Sequence, residues 1–169
     1  MIRYVVHILV VLALTSSLAM AVGKKVDDKD GMKKRPPANW LRGSGPSGYE
    51  KALKFQEETG IDMLVLFCRE TPSSEKGLLR WFEKKGMNHS SVLKQMRKYV
   101  KVRVDATRRD KRTRALIDAY KVGKTPRLVV RHPNGWNRRV KVFDWPGGEP
   151  ELASHQEIIE RLKAASSPT

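Results

Sequence analysis

Few residues of this 169-residue chain have types and spacing that could do chemistry, and they gather in two short stretches. One is Cys68 followed by Thr71-Pro72-Ser73-Ser74-Glu75, and the other is Thr125-Pro126. Cys68 is the single cysteine, so no internal disulfide can form; the thiol stays reduced, is oxidised, or cross-links to another molecule. Ser73 and Ser74 carry hydroxyls, but no histidine stands near them in sequence to activate either as a nucleophile. His89, His132 and His155 are isolated along the chain and lack metal-ligand spacing, so no metal or other cofactor is expected. Gly43-Ser44-Gly45-Pro46-Ser47-Gly48 is glycine-rich, yet it lacks the Gly-Lys-Ser/Thr end of a phosphate loop and follows no expected strand.

The elements that must position these residues follow from apolar periodicity. Tyr49, Ala52, Leu53, Phe55 and Gln56 mark one face of a helix that Thr59-Gly60 stops. Ile61 to Cys68 is almost continuously apolar, as suits a strand buried on both faces. Thr71–Glu75 reads as a turn into a helix, with a serine cap and a Glu placed well for the helix dipole. Leu78, Leu79, Trp81 and Phe82 are the apolar residues of that helix, and Gly86 ends it. A short helix is expected over Ser91–Arg97. Val100, Val102 and Val104 alternate with basic residues as in a strand with one apolar face. A helix over Arg112–Tyr120 precedes Thr125-Pro126 and a strand over Arg127–Arg131. Pro133-Asn134-Gly135 signals a hairpin turn into a strand over Arg138–Phe143. A last helix is expected from about Glu151 to Ala164. The order predicts an α/β sandwich with helices on both faces of the sheet, a parallel first pair of strands and an antiparallel final hairpin.

The first residues read as an export signal: Arg3, an apolar stretch from Tyr4 to Leu14 broken by His7, then the small-x-small end Ala19-Met20-Ala21. Cleavage is expected after Ala21, and the protein is expected to be secreted or periplasmic; an uncleaved anchor is the other reading of the same segment. Residues 22–47 are polar and punctuated by Pro and Gly, and are expected to be a linker with Trp40 docking on the domain. The domain is expected over 48–165, with a tail at 166–169. The net charge of +16 draws the protein toward anions, whether an anionic surface, a polymer or an acidic protein. Basic residues gather at Arg97, Lys98, Lys101, Arg103, Arg108, Arg109, Lys111, Arg112 and Arg114, and again at Arg127, Arg131, Arg138, Arg139 and Lys141. Only Tyr99 and Trp136 could stack bases beside them, so no specific nucleic acid is expected and solvated surface is the favoured reading.

Three features in this order and spacing resemble secreted thioredoxin-like domains over about Gly48 to Ala165. These are the helix Tyr49–Thr59 leading into the strand Met63–Phe67, Lys121-Val122-Gly123-Lys124-Thr125-Pro126 ahead of a strand, and Pro133-Asn134-Gly135 followed by Gly147-Gly148 and a terminal helix. The resemblance implies a three-layer α/β/α sandwich with a mixed sheet, and puts Thr125-Pro126 at the family's cis-proline turn. In that family the turn faces a Cys-x-x-Cys pair at the start of the first long helix. Here Pro72 and Glu75 stand where the thiols would be, so dithiol exchange, which needs an attacking and a resolving thiol, is not expected. No catalytic residue is assigned. Cys68 has two readings, a monothiol that reacts with one partner or a buried small hydrophobe, and a strand end favours burial. What the resemblance leaves is a groove of Thr71, Pro72, Thr125 and Pro126 that could hold an extended protein or peptide by strand addition. The expectation is an exported, non-dithiol interaction module. The alternatives are a redox-linked protein acting through Cys68 and a basic anion-binding envelope protein.

Overall fold

The computed structural model describes residues 34–69, 71 and 73–167. The expected signal segment, residues 22–33 of the expected linker, Pro72 and the end of the tail therefore lie outside the described residues.

A five-stranded mixed sheet forms the centre, in the order β1-β3-β2-β4-β5. Its strands are β1 (Leu41–Arg42), β2 (Met63–Cys68), β3 (Val100–Asp105), β4 (Arg127–Arg131) and β5 (Asn137–Val140). β1 and β2 run parallel to β3, β4 runs antiparallel to β2, and β5 closes an antiparallel hairpin on β4. A small antiparallel ribbon, β6 (Phe143–Asp144) with β7 (Glu151–Leu152), sits apart from the main sheet.

The apolar run of β2 occupies the middle of the sheet, and all six of its side chains are buried. Its alternating residues feed two cores. Leu64, Leu66 and Cys68 pack with Leu79 and Phe82 from α2 (Ser73–Trp81) and its continuation, with Val92 and Met96 from α3 (Ser90–Met96), and with Ile158 and Leu162 from α5 (His155–Ser166). Met63, Val65 and Phe67 pack on the other side with Tyr49 and Ala52 from α1 (Tyr49–Thr59), and with Tyr120 and Val122 just beyond α4 (Lys111–Ala119). The expected layering of helices on both sheet faces is therefore present, as are the parallel pair and the final hairpin. Among the described residues no helix is long and apolar enough to cross a membrane.

Several boundaries differ from expectation. Leu41–Arg42 adds a strand inside the stretch expected as linker. Leu41 packs on the core, Trp40 lies half-buried on the opposite one, and the Gly43 N–H donates to Arg103 O at 2.9 Å. The strand expected over Arg138–Phe143 divides, because the chain leaves β4 after Val140 and Phe143 pairs with Leu152 instead. That pairing also keeps Leu152 out of the last helix. Ser154 starts α5 with a capping box: its hydroxyl accepts from Glu157 N at 3.2 Å and Glu157 Oε2 accepts from Ser154 N at 2.8 Å.

α2 does not stop at Gly86. It passes into a π-helical turn, Phe82–Met87, that packs Gly86 against the Phe82 ring. A Cβ on residue 86 would stand 2.8 Å from Phe82 Cδ2 and 3.4 Å from Ile158 Cδ1, and the Phe82 ring is fully buried, edge-on to Phe143. Gly86→Ala is expected to destabilise the fold by about 1–3 kcal/mol, the cost of overpacking, read as a lower urea midpoint at unchanged slope.

Candidate functional site: the cis-proline end of the sheet

β2 and β3 run in the same direction, and their C-terminal ends meet the start of α2 and the turn before β4. The Thr125–Pro126 peptide in that turn is cis. Both residues are buried, Thr125 to 2% exposure. The buried Thr125 N–H needs an acceptor. Glu75, in the first turn of α2, provides it. Glu75 Oε2 accepts from Thr125 N at 3.2 Å and also from the Thr125 hydroxyl, and Oε1 pairs with Arg69 at 3.3 Å. The helix N-terminus favours a carboxylate at this point. A side chain in the place of the expected second thiol thus ties α2 to the turn. Of the four expected groove residues, Thr125 and Pro126 form this buried turn, Thr71 is exposed on the loop before α2, and Pro72 lies outside the described residues.

Beside the turn lies a narrow cleft of about 50 Å³. Leu78 of α2, Pro126, Val140, Val142, Phe143 and Trp145 give it apolar walls, and Lys124 and Arg139 reach it from the rim. That is room for one small apolar group, far below the 300–1,000 Å³ or so of a site for a drug-sized molecule. Trp145 is 43% exposed and Trp81, tilted at 55° against Phe143 with ring centroids 5.6 Å apart, is 39% exposed. Lys124 Nζ stands 4.9 Å over the Trp145 ring, a cation–π contact.

Two solved structures of the Neisseria meningitidis DsbD C-terminal domain superpose on this chain. The oxidised form gives a TM-score of 0.51 at 16% identity, covering 69% of this chain and 90% of that one. The reduced form gives 0.50 at 16% identity, covering 69% and 92%. The fold is thioredoxin-like. A solution structure of a thioredoxin from Thermus thermophilus aligns at a TM-score of 0.47, with 16% identity over 73% of this chain and 85% of that one. No protein-family model and no curated protein matches the sequence.

On this thioredoxin-like fold the dithiol is missing, because the chain has one cysteine and it stands on β2. Cys68 is 1% exposed; its thiol faces Val104 O at 3.6 Å and accepts from Arg103 Nε at 3.2 Å. Burial pushes the thiol pKa up, while the Arg103 guanidinium pulls the other way. Arg103 also pairs with Glu83 at 2.5 Å. A shielded, protonated thiol is a poor nucleophile. Iodoacetamide is therefore expected to leave Cys68 unmodified in the native protein and to label it fully in denaturant, as mass spectrometry would read. Stoichiometric labelling of the folded protein within minutes would contradict the burial.

Most of the first basic group is solvated, with Arg97, Lys98, Arg108, Arg109, Lys111, Arg112 and Arg114 exposed, and Lys101 is the buried exception. Lys101 is 6% exposed, its Nζ bound to Ala38 O at 2.5 Å, and burial holds its pKa below the usual lysine value. Arg112 pairs with Glu50 at 3.2 Å, and Arg138 donates to Ala164 O at 2.8 Å.

The histidines prove not to be isolated in space. His89 and His155 stack at 3.8 Å; His89 Nδ1 meets Ser91 Oγ at 2.7 Å and His155 Nε2 meets Lys85 O at 2.6 Å. Among the described residues no group of three or more His, Cys, Asp or Glu could hold a metal ion. His132 is buried at the far end of the sheet, with Nδ1 at 3.0 Å from Asp62 Oδ1 and Nε2 at 2.8 Å from Ala165 O. Burial raises the Asp62 pKa above its ordinary value, and His132 only partly offsets it. A carboxyl whose pKa is raised on folding adds stability below its unfolded pKa and loses it as pH climbs through the folded one. Stability is therefore expected to fall as pH rises from about 4 through the Asp62 titration. Asp62→Asn should flatten that segment in urea melts taken across pH; an unchanged slope in the variant would exclude Asp62 as its source.

The cleft residues Leu78, Lys124, Arg139, Phe143 and Trp145 were not among the residues expected from sequence. Only an aromatic residue in the Gly/Pro-rich stretch Trp145-Pro146-Gly147-Gly148 hinted that a surface lay there.

Proposed function

We propose that the protein is an exported, thioredoxin-fold interaction module that holds a protein or peptide segment at the cis-proline end of its sheet and performs no thiol exchange. One observation carries the reading: Glu75 accepts from both the N–H and the hydroxyl of Thr125 and locks the turn, so that end of the molecule is built for rigidity and shape. The apolar cleft with Trp145 at its mouth supports docking there. Because the Thr125 N–H is already bound to Glu75, affinity comes from the cleft and its rim more than from a backbone ladder started at Thr125. The burial of Cys68 counts against the redox-linked alternative, and the unpaired Lys124 and Arg139 keep an anionic partner in view.

Site-specific photocrosslinking tests the proposal. A benzophenone side chain in place of Trp145 is expected to capture discrete adducts in the native extract. The same group in place of Trp136, an equally exposed tryptophan at the β4–β5 turn, should not capture them. The same adducts from both positions, or none from Trp145, would remove the cleft from the account. Wild type should show no insulin reduction; activity lost in Cys68→Ser would reinstate the redox reading.

A further inference from the structure

We propose that the segment held at this cleft is acidic and carries an apolar side chain at its centre, an inference that rests on the docking role above. The cleft walls are apolar, and no Asp or Glu lines them. An apolar group of the partner therefore belongs inside. The rim is cationic and unpaired. Among the described residues the ion pairs near this end of the sheet are Arg69–Glu75, Arg103–Glu83 and Arg108–Asp105, and Arg161 takes Asp144 close by. Among the described residues no carboxylate pairs with Lys124, Arg127 or Arg139.

Arg127 does not line the cleft; it alternates with Leu128 and shares the sheet face of Val129, opposite the cleft walls. Its Nη1 donates to Lys121 O at 2.6 Å, while its Nε is buried without a hydrogen-bond partner. Arg139 lies close enough to repel it, on the neighbouring strand. Glu75, the nearest carboxylate on α2, is already committed to Thr125 and Arg69. The complementary ligand has an apolar group for the cleft and carboxylates for Lys124 and Arg139, the two cations that line it. An acidic peptide has both. A polysaccharide polyanion has the charges and lacks the apolar anchor.

Four fluorescein-labelled hexapeptides titrated into the full chain and followed by anisotropy test this. One has Glu and Asp flanking a central Leu, one has Gln and Asn flanks, one has Lys flanks, and one is acidic with Gly at the centre. The acidic Leu peptide is expected to bind about 3- to 20-fold more tightly than its Gln/Asn counterpart, and less tightly as salt rises. Trp145→Ala should weaken it about tenfold, as loss of a central aromatic anchor does. Lys124→Glu with Arg139→Glu should reverse the ranking in favour of the Lys peptide, with circular dichroism unchanged. Equal binding of the acidic and Gln/Asn peptides, lost in Trp145→Ala, would overturn the acidic partner and leave the docking role standing. No binding by any peptide would overturn both. An acidic Gly peptide, or heparin fragments, binding as tightly as the Leu peptide would make the rim a general polyanion surface. Acidic binding untouched by Trp145→Ala would place it elsewhere and overturn the proposal.

Discussion

Replacing Glu75 by alanine is expected to cost about 2–4 kcal/mol of folding stability, more than its half-buried position on a helix surface suggests. The carboxylate is the acceptor for two donors of one residue, the Thr125 N–H and hydroxyl, and Thr125 is 2% exposed. Water does not reach Thr125 readily once the acceptor is gone, so the desolvation cost of the N–H is left unrelieved. The hydroxyl can rotate toward another partner, which keeps the total below twice the usual figure for an orphaned group. The lost Arg69 pair adds little, because that arginine is partly exposed. Glu75→Gln keeps a carbonyl acceptor and is expected to recover at least half of the loss. Urea unfolding of both variants beside wild type measures it, and an alanine variant within about 0.5 kcal/mol of wild type would show that the bond does not hold the turn.

Gly48→Ala is expected to be at least as damaging, at about 3 kcal/mol or more. A Cβ there would stand 2.1 Å from Gly43 O and 2.2 Å from Arg42 O, and both are backbone atoms that no rotamer change can move. Three main-chain bonds depend on this close approach: Gly43 N to Arg103 O at 2.9 Å, Tyr49 N to Gly43 O at 2.9 Å and Gly48 N to Gly45 O at 3.0 Å. Ser44 Oγ meets the Thr113 hydroxyl at 2.9 Å and fastens the same turn to α4. The variant must either lift β1 from the edge of β3 or shift the start of α1. Hydrogen exchange would show lost protection at the Gly43 and Tyr49 amides. If protection there persists and stability drops by less than about 1 kcal/mol, residues 41–48 tolerate rearrangement and are a true linker.

The parts of the fold that were legible in sequence are those fixed by local chemistry. β2 announces itself because six consecutive buried positions demand an unbroken apolar run. β4 was read to the residue because Pro126 bars an earlier ladder bond and Asn134-Gly135 sets the hairpin. The start of α5 was misread although its signal was present. Leu152 and Ala153 extend the helical periodicity backward, whereas Ser154 and Glu157 satisfy each other's backbone and fix the true start. β1 is only two residues long in polar surroundings, and nothing local distinguishes it from a linker. The site was half legible. Thr125-Pro126 and the absence of a thiol pair were visible at once, but the bond from Glu75 spans 50 residues. Glu75 read only as a good first-turn residue, which it also is. The cleft depends on α2, the turn and the residues after β5 meeting in space, and His132 finds Asp62 for the same non-local reason.

The C-terminal turn of α5 has a further consequence. A helix leaves its last carbonyls without internal partners, and here side chains from the sheet and from the residue before β3 take them: Tyr99 on Leu162 O at 3.1 Å, Arg138 on Ala164 O at 2.8 Å and His132 on Ala165 O at 2.8 Å. His132 follows the end of β4, and Pro126 precedes its start, so this clamp and the cleft occupy opposite poles of one strand. A bead, dye or fusion partner attached behind Ser167 would leave the molecule standing on its clamped pole with Trp145 pointing outward, a ready-made orientation for immobilised assays.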